Sequence, residues 1–116
     1  MLAPRLRFPV RLGFFTALVA VFWLALLPAP DIVQIVSWQD KVEHTLLFAA
    51  LALLGLAGWP HGALALGIGL LAYGAAMEVA QSFTGYRVGD PLDWLADVIG
   101  VAILLPISLR NARQAA

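Results

Sequence analysis

The chain has 116 residues, of which 62% are hydrophobic and only 12% are charged, and its mean hydropathy is +0.90. A soluble domain is about 45–50% apolar and about 25% charged, so this composition excludes an ordinary soluble fold and predicts a membrane protein. The formal net charge is +0 and the basic residues are scattered, which argues against a nucleic-acid partner. The absence of cysteine excludes disulfides, thiolate metal sites and a cysteine nucleophile.

Four apolar segments predict transmembrane helices, at about residues 12–27, 42–58, 62–83 and 91–109. Each is close to the length of about 17–25 residues that a spanning helix needs. No linker between them is long enough to divide the chain. We therefore predict a single all-α domain over residues 1–116, a four-helix transmembrane bundle in contact with the lipid bilayer.

The predicted helix boundaries carry local signals. Ser37 with Asp40 three residues later resembles a capping box, and Asp90 before Pro91 resembles an N-cap followed by proline in the first turn. The Gly-Trp-Pro-His-Gly sequence at residues 58–62 predicts a tight connection between the second and third spans. These signals agree with the four-span assignment.

Basic residues indicate the orientation of the bundle in the membrane. Arginines lie before the first span and after the last, whereas the two outer connections carry little basic charge: Arg5, Arg7, Arg11, Arg110 and Arg113 against Lys41 and Arg87. The positive-inside rule then places both termini in the cytoplasm. A cleaved secretory signal is the alternative for the first span, but Leu27 stands where a small residue is needed for cleavage, so we predict that the span is retained.

Polar residues at the outer ends of three predicted helices are the candidate site. Asp40 and His44 are four residues apart and so share a helix face, as do Asp93 and Asp97. Glu78 lies within an apolar run, about 5–8 Å below the end of the third span. We predict one outward-facing polar pocket formed by eight residues: Asp40, Lys41, His44, Glu78, Gln81, Arg87, Asp93 and Asp97.

The charges in this pocket need compensation, because a carboxylate in hydrocarbon has to be paired, hydrated or protonated. We expect Lys41 and Arg87 to pair with Asp93, Glu78 or Asp40. A simpler explanation competes for Asp40, Asp90 and Asp93, since the helix dipole alone favours a carboxylate in the first turn. One histidine among carboxylates is weak evidence for zinc, so the sequence predicts neither a metal nor a cofactor.

The spacing of these residues resembles that of the VanZ-like membrane proteins. The resemblance covers residues 40–100 and consists of three motifs: Asp40-Lys41-x-x-His44-x-x-x-Phe48, Glu78-x-x-Gln81-x-x-x-x-x-Arg87 and Asp93-x-x-x-Asp97-x-x-Gly100. It implies a bacterial integral membrane protein of a family linked to low-level resistance to the glycopeptide teicoplanin, with no established reaction. Two positions depart from the family, which usually has asparagine where this chain has Asp97 and often a further glycine where it has Leu104. Since an ionised Asp only accepts hydrogen bonds, the role of that asparagine does not carry over.

Three functions stay open. The one we prefer is binding, or modification, of a lipid-linked or lipophilic molecule of the cell envelope, such as a lipid-linked precursor or a lipophilic glycopeptide. Lys41 and Arg87 would hold its anionic head group at the outer face of the bacterial cytoplasmic membrane. The alternatives are a small proton-coupled transporter and a scaffold with a merely structural polar cluster. No serine or threonine is clearly placed as a nucleophile, so catalysis is undecided, as is the oligomeric state.

Overall fold

The structure, a computed structural model, describes residues 3–26, 39–84 and 91–115. These residues form the helices α1 (Pro4–Leu26), α2 (Gln39–Gly58), α3 (Ala63–Ser82), α4 (Pro91–Val101) and α5 (Leu104–Ala115). Within the described residues, four segments are long and apolar enough to cross a membrane: Pro4–Leu26, Lys41–Gly58, Ala63–Ser82 and Leu92–Arg110. The prediction of an all-α chain with four such segments is confirmed.

The first helix is longer than predicted. α1 begins at Pro4, about two turns before the expected start at residue 12, and continues through Pro9. Because proline has no N–H group, Pro9 costs α1 one hydrogen bond, to the carbonyl of Arg5. Arg5 is exposed, and the helix tolerates the missing bond near this end. The apolar pattern predicted the apolar part of α1 but not the arginine-rich turns before it.

The fourth span is interrupted, whereas the sequence predicted one continuous helix from residue 91 to 109. α4 ends at Val101, and α5 begins at Leu104 after a turn at residues 102–103. Pro106 is the physical reason, since it cannot donate to the carbonyl of Ala102, four residues earlier, and its ring crowds that carbonyl. The Ala102 oxygen instead accepts a hydrogen bond of 3.0 Å from the backbone N–H of Leu105.

The connection between α2 and α3 is the tight turn that residues 58–62 predicted. α2 ends at Gly58 and α3 begins at Ala63, and the Gly62 N–H donates to the Trp59 carbonyl at 3.0 Å. Pro91 is the first residue of α4, the position that its fixed φ and missing N–H favour. The predicted caps at Ser37 and Asp90 and the side chain of Asp40 lie outside the described residues.

The core lies between α2, α3 and α4. Phe48 of α2 is fully buried, and Leu70 and Met77 of α3 are each 2% exposed. α2 and α4 approach closely at Gly100, where an added Cβ would overlap the Thr45 carbonyl oxygen and lie 2.9 Å from the Ala49 nitrogen. A glycine at such a crossing allows two helix backbones to touch. The α2–α4 crossing sets the positions of the polar side chains near it.

Hydrogen bonds from side chains to backbone carbonyls connect the helices in a ring. Such bonds matter in hydrocarbon, where a polar side chain has no water to bind. They run from α1 to the end of α2, from α2 to α4, from α4 to α3 and from α3 back to α1: Arg11 Nε to Gly58 (2.8 Å), Thr45 Oγ1 to Ala96 (3.1 Å), Trp94 Nε1 to Leu71 (3.0 Å), Tyr73 OH to Leu18 (2.6 Å) and Gln81 Nε2 to Ala25 (2.8 Å).

Candidate functional site

The candidate site lies at one end of the bundle, where α2 and α4 begin and α3 ends. We call this the polar end. His44 lies five residues after the start of α2, Glu78 four residues before the end of α3, and Asp97 six residues after the start of α4. At about 1.5 Å of rise per residue, these positions are roughly 6–9 Å inside the helix ends. The three helices therefore bring their polar side chains to a similar depth.

An ion pair between Lys41 and Asp93 forms the outermost part of the site. Lys41 Nζ lies 2.6 Å from Asp93 Oδ1, and the two side chains are 33% and 10% exposed. This is one of the pairings expected from the sequence. Because Asp93 is mostly shielded from solvent, a lysine directly beside it lowers the cost of keeping its charge. The pair also joins the first turns of α2 and α4.

His44 lies deeper and faces two carboxylates of α4. Its Nδ1 is 2.8 Å from Oδ1 of Asp97, and its Nε2 is 3.9 Å from Oδ2 of Asp93. Asp93 and Asp97 are one helical turn apart on the same face of α4, so the imidazole fits between them with one nitrogen toward each. Asp97 is completely buried, and its contact with His44 was not among the pairings expected from the sequence.

Glu78 brings the third helix into the site. It is 8% exposed, and ligand atoms of Glu78, His44 and Asp97 all lie within 4.8 Å of one another. An imidazole nitrogen and two carboxylate oxygens are ligands that divalent first-row metal ions accept. Together with the Lys41–Asp93 pair, these side chains form a group of five that we call the polar cluster.

The polar cluster borders the apolar core at Gly74 and Phe48. A Cβ added at Gly74 would lie 2.9 Å from Oδ2 of Asp97 and 3.3 Å from Cε2 of Phe48. The missing side chain of Gly74 thus leaves the room that the Asp97 carboxylate occupies against α3. No spacing in the sequence distinguishes this glycine from Gly69 on the same helix, whose added Cβ would meet nothing within 4 Å.

The other predicted site residues are placed differently. Gln81 is buried but its amide donates to the Ala25 carbonyl, so its hydrogen bond serves the packing of α1. Arg87 and the side chain of Asp40 lie outside the described residues. Thr45, which sequence reasoning gave no place in the site, lies with its hydroxyl 2.9 Å from the Lys41 carbonyl and 3.1 Å from that of Ala96. It ties α2 to α4 directly beside the cluster.

A groove between α2 and α4 begins at Lys41 and runs along the outer surface of the bundle. Its volume is about 430 Å³, and apart from Lys41 and Thr45 its lining is aliphatic: Val42, Leu46, Leu92, Leu95, Ala96 and Ile99. Ile99 is 65% exposed and Leu46 equally so, which means that the groove is open along its side. In a membrane this side faces lipid.

Comparisons with known proteins found no matching family model, no matching curated protein and no matching solved structure. The resemblance to VanZ-like proteins therefore stays a prediction that depends on the three motifs. The arrangement at the polar end is the remaining basis for a functional conclusion. It combines a buried acidic and histidine cluster, a half-buried lysine and a groove open to lipid.

Proposed function

We propose that this chain is a VanZ-like multi-pass protein of the bacterial cytoplasmic membrane that binds a lipid-linked or lipophilic envelope molecule at its polar end. The single observation that carries the proposal is Lys41 at the polar mouth of the aliphatic α2–α4 groove. A ligand with an anionic head and a hydrocarbon tail matches both parts of this surface. Resistance to a glycopeptide with a fatty acyl chain, such as teicoplanin, is the cellular role that the family resemblance suggests.

Lys41 is suited to hold the head group. Its ammonium carries three donors, and the side chain is 33% exposed although it contacts Asp93 at 2.6 Å. It can therefore contact Asp93 and a phosphate or carboxylate of the ligand together. A charge-assisted hydrogen bond of this kind is stronger than a neutral one, and the contact with Asp93 restricts where the lysine ammonium can lie.

The groove supplies the apolar half of the recognition. Leu46, Leu95 and Ile99 present exposed aliphatic surface on adjoining helices. The acyl chain of a ligand would cover this surface in the same way as the acyl chains of the surrounding lipid. Hydrocarbon contact alone gives little preference for a tail over bulk lipid. Selectivity must therefore come from the head group at Lys41, and the groove sets where the tail lies.

The proposal places the polar end on the outside of the membrane. The arginines before the first span and after the last support this orientation through the positive-inside rule, and both termini are then cytoplasmic. The position of the cluster near one end of the helices also argues against a transporter, whose substrate site is expected near the bilayer midplane. A scaffold with a structural polar cluster is the competing explanation, and ligand binding separates the two.

Cysteine labelling tests the orientation, because the chain has no cysteine of its own. Single cysteines at position 85 or 89, between α3 and α4, should react with an impermeant thiol reagent added to intact cells. A cysteine at position 62, in the α2–α3 turn, should react only after the membrane is opened. The reverse pattern would place the polar end in the cytoplasm and contradict the proposed site of binding.

Lipid retention tests the binding function directly. The purified protein, mixed with a bacterial lipid extract, is analysed by native mass spectrometry for the anionic lipids that stay bound. Lys41→Gln should weaken retention by about tenfold, since a hydrogen bond to a charged group is worth about 1.5–3 kcal/mol. Ile99→Trp should weaken it as well, by filling the groove without changing any charge.

Two control variants accompany this experiment. Glu43→Gln changes an exposed charge two residues from Lys41, and Leu53→Trp enlarges an exposed aliphatic residue of α2 outside the groove. Both should bind lipid like the unmodified protein. Equal retention by Lys41→Gln, Ile99→Trp and the controls would refute the proposal and favour the scaffold. In cells with matched protein abundance, Lys41→Gln and Ile99→Trp should increase susceptibility to teicoplanin, and the two controls should not.

A further inference from the structure

We propose that His44, Glu78 and Asp97 form a binding site for one divalent first-row metal ion of the zinc type. This inference does not depend on lipid binding, because it concerns the inner part of the polar cluster and not the groove at Lys41. It is carried by the convergence of one imidazole and two carboxylates from three different helices, with ligand atoms within 4.8 Å of one another.

The ligand set suits such an ion. Zinc accepts histidine nitrogen and carboxylate oxygen at about 2.0–2.2 Å, and ligand atoms around a tetrahedral ion are then about 3.4 Å apart. The distance between His44 Nδ1 and Asp97 Oδ1, 2.8 Å, is shorter than this expected spacing. The ligand atoms of all three residues lie within 4.8 Å of one another. Glu78 has the longest side chain of the three, and a change in its χ angles can close the remaining distance.

The surroundings of His44 have the form expected around a metal-bound imidazole. The nitrogen that does not bind metal usually faces a carboxylate, which orients the ring and makes the ligating nitrogen more basic. With Nδ1 toward Asp97, Nε2 of His44 faces Oδ2 of Asp93 at 3.9 Å, about 1 Å longer than a hydrogen bond, so a small shift of the ring would complete the contact. Lys41 holds that carboxylate from the other side at 2.6 Å. The polar cluster thus contains three ligands and an orienting carboxylate with its own counter-ion.

Charge favours a cation at the same place. For the five side chains of the polar cluster, one lysine and three carboxylates with a neutral His44 leave a net formal charge of minus two. Glu78 and Asp97 are 8% and 0% exposed, and carboxylates at such positions are costly without a compensating charge. A divalent cation between them would bring the five side chains to neutrality. Binding would displace any proton shared by His44 Nδ1 and Asp97 Oδ1, and this proton would leave to water.

Three protein ligands leave at least one coordination position open, which is typical of zinc sites that bind a further ligand and not of closed structural sites. The charge of Asp97 strengthens the site. An ionised carboxylate is a better ligand for a hard or borderline cation than a neutral amide. The acidic residue at position 97 therefore makes this chain a stronger candidate for a metal than an otherwise identical chain with asparagine at that position would be.

Metal content of the purified protein tests the site. The full chain, carrying an affinity tag without histidine, is saturated with Zn²⁺, freed of excess ion and analysed by inductively coupled plasma mass spectrometry. We expect about one Zn²⁺ per chain, as a three-ligand site predicts. Asp97→Asn and Glu78→Gln keep side-chain size and should lower the affinity by at least about tenfold. Co²⁺ at the same site should give the visible absorption bands of a four- or five-coordinate ion, which adventitious binding to exposed carboxylates would not.

Matched controls come from the rest of the chain. His61 is the only other histidine of the sequence and lies exposed in the turn at the opposite end of the bundle, so His61→Ala should bind Zn²⁺ normally, as should Glu43→Gln. Elution from a sizing column and the helical circular dichroism signal show whether each variant is folded. Absence of Zn²⁺ and Co²⁺ binding by the folded unmodified protein would overturn the inference. Unchanged affinity in folded Glu78→Gln or Asp97→Asn would do the same.

Discussion

The α2–α4 pair and the peripheral helix α1 use different means to hold their places in the same bundle. α2 and α4 meet backbone to backbone at Gly100 and are joined by the Lys41–Asp93 and His44–Asp97 contacts. Only 6% of the residues in the apolar stretch of α1 are buried, against 33% in that of the segment Leu92–Arg110. Phe14 is the buried side chain of α1, and Val19 and Trp23 are 71% and 64% exposed.

The difference concerns how much each contact depends on side-chain identity. α1 is held by Arg11, Tyr73 and Gln81, whose hydrogen bonds all end at a backbone carbonyl of the neighbouring helix. A backbone carbonyl is present whatever the residue, so these bonds tolerate a change of the residue that supplies the carbonyl. The close approach at Gly100 and the Lys41–Asp93 and His44–Asp97 contacts between α2 and α4 instead require a glycine and specific polar partners. We therefore expect substitutions at the α2–α4 crossing to have larger effects than those at α1.

The largest effect is expected for Gly100→Ala. Its new Cβ would overlap the Thr45 carbonyl oxygen. Because the Cβ is fixed to the backbone of α4 and the oxygen belongs to the backbone of α2, the helices would have to separate. Overpacking of this kind costs typically about 1–3 kcal/mol, and it would also separate His44 from Asp97. Thermal unfolding in detergent measures the loss of stability. Gly69→Ala is the control, since its Cβ would meet nothing within 4 Å; equal stability of the two variants would contradict the account of the crossing.

A smaller effect is expected for Tyr73→Phe. The change removes the 2.6 Å hydrogen bond to the Leu18 carbonyl of α1 and keeps the ring beside Phe22 and Phe48. Hydrogen bonds between membrane helices contribute on average about 0.6 kcal/mol, so the unfolding free energy should fall by that order and the metal affinity should stay unchanged. A loss as large as that of Gly100→Ala would show that α1 is as tightly coupled to the bundle as α4 is.

Much of the fold could be predicted because the hydrophobic pattern alone decides where a chain can cross a bilayer. The four apolar segments and the turn at residues 58–62 follow from composition and from local glycine and proline. Pro106 is a signal for a helix break, but the apolar residues on both sides of it predicted one continuous span, and so the break at residues 102–103 was not predicted. The stretch before residue 12 carried too many arginines to be counted with the first span, although its helix continues into it.

The candidate site could be predicted only in part. Helical spacing correctly grouped Asp93 with Asp97 on one face, and the expected pairing of Lys41 with Asp93 is observed. Spacing could not show that His44 faces Asp97, nor that the amide of Gln81 turns to α1. Those choices depend on the rotation of each helix about its own axis, which is set by contacts such as the one at Gly100.

The sequence by itself determined that the chain is helical, apolar enough to span a membrane four times, and polar near one end of three helices, because hydrophobic period and turn residues act locally. Only the tertiary structure decided which polar groups meet. Close approach at Gly100 and the room left by Gly74 bring His44, Asp97 and Glu78 together. Such contacts join residues far apart in the chain, and their geometry depends on how whole helices pack, which no local pattern specifies.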